Sequence, residues 1–191
     1  MVSMDFGKQI IIIRGNGNAK PSSHWFPYIE RELTKLGIEV VNVEFPDPVI
    51  AHEREWLPFL DELGADENTI LIGHSSGAVA AMRYAEKNEI LGSVLVGACY
   101  TDLGDEGERE SGYYDRPWDW EAIKKNQRWI VQFASTDDPL IPIAEARHIH
   151  EALDSEYTEF ADHQHFGYPN KMTEFPELVA AIRDRMSQTL T

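Results

Sequence analysis

Cysteine is almost missing from this chain. Cys99 is the only one in 191 residues, so no intrachain disulfide can form, nor a zinc site built on several thiolates. Basic residues are also scarce: 17 Lys and Arg stand against 33 Asp and Glu, a formal net charge of −16. Such a surface repels phosphate backbones and anionic lipid, so neither nucleic acid nor a membrane is an expected partner. Long apolar runs are lacking as well. Met1 to Lys8 contains none, and Ile10 to Ile13 is far too short for a signal-peptide core or a membrane span. These shortages together predict a cytoplasmic protein.

What is present is ordinary globular material, 42% hydrophobic and 26% charged, in a length that suits one domain. Strand-like and helix-like segments alternate from end to end. Strands are predicted at Gln9 to Arg14, Glu39 to Glu44, Thr69 to Ile72, Ile90 to Val96, Trp129 to Ala134 and Glu156 to Phe160. Helical spacing runs over Trp25 to Leu36, Ala51 to Leu63, Gly77 to Asn88, Trp120 to Asn126, Ile143 to Leu153 and Glu174 to Met186, with Pro58 expected to kink or divide its helix. Ala98 to Trp118 shows no clear periodicity and reads as an excursion above the sheet. Six strands separated by helices predict a single α/β domain over residues 1–191, in three layers, with a mainly parallel six-stranded sheet. Ligands on such sheets bind beyond the carboxyl ends of the strands.

One strand end carries Gly73-His74-Ser75-Ser76-Gly77, a match to G-x-S-x-G. Between a strand and a helix this pattern presents a nucleophilic serine on a tight turn, with glycines where neighbouring backbone comes close. The helix start aims backbone N–H groups at the place where an oxyanion forms. Ser75 is the candidate nucleophile and the Ser76 N–H a candidate oxyanion donor. A serine that only caps the helix would not require glycine on both sides.

A serine hydroxyl needs a general base, and the base needs a carboxylate to orient it. In the strand–turn–helix setting of G-x-S-x-G the chain order is serine, acid, histidine. Asp137 and Asp138 follow the fifth strand; Asp138 is favoured because the turn Asp138-Pro139-Leu140-Ile141-Pro142 resembles one that holds the acid in many α/β-hydrolases. His163 and His165 follow the sixth strand, and His165, next to Phe166, is favoured. Asp162, His163 and His165 could instead be read as metal ligands, but that leaves Ser75 between its glycines unexplained, and no metal is expected. His148 and His150, two apart on a helix, read as surface residues.

Gly15-Asn16-Gly17-Asn18 follows the first strand. This loop supplies the second oxyanion N–H in α/β-hydrolases, with Asn16 favoured over Gly17. A dinucleotide fingerprint fails because Lys20 stands in place of its third glycine. His24 and Trp25, and Tyr113 and Tyr114 from the excursion, are candidates to line a substrate pocket; Trp118 and Trp120 could roof it.

Over almost its whole length the chain resembles the small serine hydrolases of the retinoblastoma-binding type. The shared features include the 15–17 loop, Pro46-Asp47-Pro48, Trp56-Leu57-Pro58-Phe59, the 73–78 elbow, Ala81 to Glu86, Asp102 to Glu106, Ser111-Gly112-Tyr113, Arg116-Pro117-Trp118, Ser135 to Pro139 and His165-Phe166. The resemblance implies a compact α/β-hydrolase with Ser75, Asp138 and His165 as its triad and no cofactor. It further implies small ester or amide substrates, with aminopeptidase-like activity among the expectations. One motif departs: Leu63-Gly64-Ala65-Asp66-Glu67 lacks the cysteine of L-x-C-x-E, so binding to a pocket protein does not carry over. The alternative to an enzyme is an interaction module on a hydrolase scaffold, whose mark would be a damaged triad.

Overall fold

A computed structural model describes residues 8–188; all but the last residue of the Met1 to Lys8 stretch, expected to hold no long apolar run, lies outside them. Along the chain run β1 (Gln9–Ile13), α1 (Phe26–Thr34), β2 (Glu39–Val41), α2 (Glu53–Glu62), β3 (Thr69–His74), α3 (Ser76–Ala85), β4 (Gly92–Val96), α4 (Glu106–Glu110), α5 (Trp120–Lys125), β5 (Ile130–Ser135), α6 (Ile143–Leu153), β6 (Glu156–Phe160) and α7 (Pro176–Gln188). The six strands form one sheet in the order β2-β1-β3-β4-β5-β6, and every pairing is parallel.

The period of two along a strand builds the layers. Ile11 and Ile13 of β1 join Leu71 and Leu95 in a core under α2, α3, α5 and α6, where Trp56, Ile123 and Ile149 pack. Ile10 and Ile12 point the other way, with Ile70 and Val94, into a core under α1 and α7 that contains Phe26, Leu33, Leu178 and Ile182. Central strands covered on both faces need continuous apolar sequence. β3 and β4 are accordingly buried at every residue, whereas the edge strands β2 and β6 are not.

Two expectations need correction. Pro58 does not divide α2: one helix spans Glu53–Glu62 with Pro58 inside. Pro58 is exposed, on a face where water can replace the donor that proline lacks. The excursion is also not wholly irregular. It holds α4, whose N-cap Asp105 accepts a hydrogen bond from Glu108 N at 3.0 Å.

Arg83 pins this excursion to α3. Fully buried, it donates to the carbonyls of Tyr113, Arg116 and Pro117 and to Glu86 Oε1, and its guanidinium lies 3.6 Å from the centre of the Trp118 ring. Among the described residues, no helix is long and apolar enough to cross a membrane.

Candidate active site

Ser75 sits between β3 and α3 with φ 56° and ψ −125°, a backbone region costly for any residue with a side chain. Close packing enforces the corner. A Cβ on Gly77 would lie 2.6 Å from the Ile13 carbonyl carbon, and one on Gly73 would strike the backbone of Gly77 and Ala78. The Ser75 N–H donates to Val96 O at 2.9 Å, tying the corner to the end of β4. From Thr69 to Ala85 every residue is buried except Ser75.

Asp138 and His165 meet at the same sheet edge. Asp138 Oδ1 accepts the N–H groups of Leu140 and Ile141 at 2.8 and 3.0 Å. That leaves Oδ2 for His165 Nδ1 at 2.7 Å, with both side chains under 5% exposed, at 3% and 4%. Gly97, the residue after Val96, has φ +56°, and a Cβ there would lie 3.2 Å from His165 Cε1 and 3.7 Å from Asp138 Oδ2. The imidazole thus rests on Gly97 while the neighbouring Val96 carbonyl holds Ser75. Three segments far apart in sequence converge on the carboxyl end of β4.

Asp137 has another partner set. It accepts from Ser135 Oγ at 2.6 Å and from Gln164 N at 2.9 Å, and the Ser135 hydroxyl holds its carboxyl below the usual range. It ties the β5 loop to the loop of His165. His163 bonds Asp162 at 2.9 Å and stacks on Phe160 at 3.8 Å. Among the described residues, no three His, Cys, Asp or Glu side chains converge as metal ligands do. His148 is exposed and His150 stacks on Tyr157 at 4.8 Å.

His74, a functional neighbour that sequence reasoning did not single out, lies beneath the pair. Its Nε2 donates to His165 O at 3.0 Å, with the two rings 4.9 Å apart. Burial, then the adjacent His165, pushes His74 well below the ordinary imidazole range, so it is a neutral strut. His24 is half-buried beside it, 6.4 Å between rings, and is lowered by burial and then by His165. Of the pocket candidates, two are core residues. Trp25 is fully buried and donates from Nε1 to Phe166 O at 2.8 Å, bracing the loop after His165. Tyr113 is fully buried under the excursion. His24 and Tyr114 remain half-exposed.

The loop after β1 faces α4. Gly17 N and Asn18 N donate to Val49 O and Pro48 O, and Asn16 Nδ2 donates to Glu108 Oε1 at 2.7 Å. Glu108 Oε2 accepts from Tyr114 O–H at 3.2 Å, and that hydroxyl is 3.2 Å from Cys99 Sγ. Burial raises the Glu108 carboxyl above its usual range. Burial likewise raises the Cys99 thiol to about 12, which makes it unreactive. Among the described residues, the backbone N–H groups of Asn16 and Ser76 have no acceptor within the protein. Nothing local marked Glu108: it is one acidic residue in an acidic stretch, and its partner Asn16 lies 92 positions away.

A family model described as serine hydrolase matches residues 10–184. The chain is 44% identical over 183 residues to the serine hydrolase RBBP9 of Rattus norvegicus, covering 94% of this chain and 96% of the relative. The crystal structure of the ydeN gene product of B. subtilis superposes with a TM-score of 0.85 at 24% identity, covering 94% of this chain and 99% of that one. The esterase EaEST of Exiguobacterium antarcticum superposes with a TM-score of 0.68 at 14% identity, over 93% and 91% of the two chains. These structures share the α/β-hydrolase fold with the present chain.

Proposed function

Since the chain belongs to the serine hydrolase family and is a hydrolase, we propose that Ser75 is its nucleophile, His165 its general base and Asp138 the acid that orients the base. The observation that carries this reading is the lone break in burial along β3 and α3: Ser75 alone reaches the surface, beside an Asp138–His165 pair held at 2.7 Å.

With Nδ1–H donated to Asp138, Nε2 of His165 is the free basic nitrogen. It takes the Ser75 proton as Oγ attacks the substrate carbonyl, and the new oxyanion accepts the unpaired N–H groups of Asn16 and Ser76. Each such donor contributes about 3 kcal/mol to lowering the barrier. The carbon–leaving-group bond then breaks as His165 passes the proton to the departing oxygen or nitrogen. Water, deprotonated by His165, attacks the acyl-enzyme in turn and releases Ser75. Asp138 remains ionised throughout and stabilises the imidazolium.

The substrates are small esters or amides, with aminopeptidase-like turnover among them, as the resemblance of the chain to its family implies. No cofactor enters any step. A fluorophosphonate probe tests the assignment. It should label the native protein at Ser75 and leave Ser75→Ala unlabelled and inactive with the fold intact; turnover by that variant overturns the reading.

A further inference from the structure

Glu108 is a half-buried carboxylate without a counter-ion. Its hydrogen-bond donors, Asn16 Nδ2, Tyr114 O–H and the Ser76 hydroxyl, are all neutral. Among the described residues, no ion pair includes it, and the charge acting most on it is another carboxylate, Asp105. Charges are seldom taken out of water without a partner of opposite sign. Glu108 also bonds directly to Asn16, one of the two residues proposed to receive an oxyanion, and lies close to the other, Ser76. Negative charge in that place opposes the developing oxyanion unless a cation stands between them.

A second observation marks the same spot. Ser76 Oγ is buried, in a residue only 3% exposed, and its hydroxyl acts on Glu108 as a third neutral donor that leaves the carboxylate charge uncompensated. A carboxylate held only by neutral donors is a ready acceptor for an ammonium, which carries three donors and no acceptor. Three neutral donors on a carboxylate with about four acceptor sites leave room for one more.

We propose that Glu108 is a specificity-determining residue for the acyl side of the substrate, binding a protonated amine on the carbon next to the scissile carbonyl. This rests on Ser75 being the nucleophile. An amine at that carbon is two bonds from the carbonyl carbon, so it falls beside the oxyanion donors, on residues whose side chains Glu108 touches. The substrate then supplies the missing counter-ion, and neutral acyl groups are turned over against uncompensated charge.

The experiment compares alanyl and isobutyryl p-nitrophenyl esters, in which a methyl group replaces the ammonium. Both are run on the native protein, Glu108→Gln and Glu108→Asp, with rates corrected for spontaneous hydrolysis. Native kcat/KM should favour the alanyl ester by about tenfold or more, the scale of a charge-assisted hydrogen bond. Glu108→Gln should lower the alanyl value and raise the isobutyryl value, bringing the ratio near one, and Glu108→Asp should partly restore the preference. No native preference, or a Glu108→Gln variant that loses both activities in equal proportion, overturns the proposal; the native comparison stands even where the variant fails to fold. Ser75→Ala, run in parallel, must lose both activities. If it does not, the nucleophile assignment has failed, which is a separate result from a failure at Glu108.

Discussion

His165 Nδ1 and Asp138 Oδ2 lie 2.7 Å apart, and Asp138 is aimed by two backbone N–H groups that occupy its other oxygen. Asp138→Asn would keep the shape and reverse the chemistry. Its amide can offer N–H to the imidazole, so the proton moves to Nε2, the nitrogen needed as base. We expect kcat to fall by roughly 10³- to 10⁴-fold with little change in stability. Asp137→Asn, at the neighbouring carboxylate that bonds Ser135 and Gln164, should retain far more activity. Steady-state rates of the two variants decide the matter, and equal losses would mean that the acid has been misassigned.

Glycines in the elbow and in α4 differ in what they tolerate. A Cβ at Gly77 would press on the backbone of Ile13 and Arg14, which cannot rotate away. Gly77→Ala should cost about 3 kcal/mol or more, at the upper end for overpacking. Gly107→Ala meets only the Asp105 carboxylate oxygen, at 3.2 Å, and lies in α4, where alanine has the higher propensity. Its effect should stay within roughly 1 kcal/mol of zero. Urea unfolding of both variants measures the contrast.

These contrasts also explain how far the sequence could be read. The β-branched run of β1 and the glycine-flanked Ser75 are local patterns with local causes, so their positions were legible. The order Ser75, Asp138, His165 followed from the strand each one succeeds. Trp25, Tyr113 and Glu108 were not legible in the same way. Tyr113 and Tyr114 are adjacent in a loop, yet one is fully buried and the other half-exposed, and no period-two rule governs a loop. Trp25 is core because its indole N–H is taken by Phe166, 141 positions later. Glu108 acquires its place from contacts with Asn16 and Tyr114 that no local pattern encodes.

Arg83 is predicted to be a structural staple. Its removal would leave three carbonyls of the excursion without their donor and the Glu86 side chain, 6% exposed, short of its closest cation. Arg83→Met should cost about 3–5 kcal/mol, the usual penalty for breaking a buried pair from one side. The loss should be greatest in the excursion. Hydrogen exchange at residues 113–116 should accelerate more than in β3, and uniform acceleration would place the role of Arg83 elsewhere.

The neutral state of His74 makes stability depend on pH in a definite direction. In the unfolded chain its imidazole takes up a proton near 6.5, and in the fold only well below that value, chiefly because it is buried. Below about pH 6.5 the unfolded state therefore binds more protons, and stability falls as pH falls, by at most about 1.4 kcal/mol per pH unit for one histidine. His24, also lowered by burial, acts with the same sign. Glu108, raised by burial, acts with the opposite sign: its contribution is full below the unfolded carboxyl value and is lost as pH rises. The histidine share can be isolated with His74→Gln, since glutamine can still donate to His165 O but does not titrate. Native protein should be more stable than His74→Gln at about pH 7, and the gap should narrow or reverse towards about pH 5. Parallel urea-derived stability curves for the two proteins would show that His74 carries no such linkage.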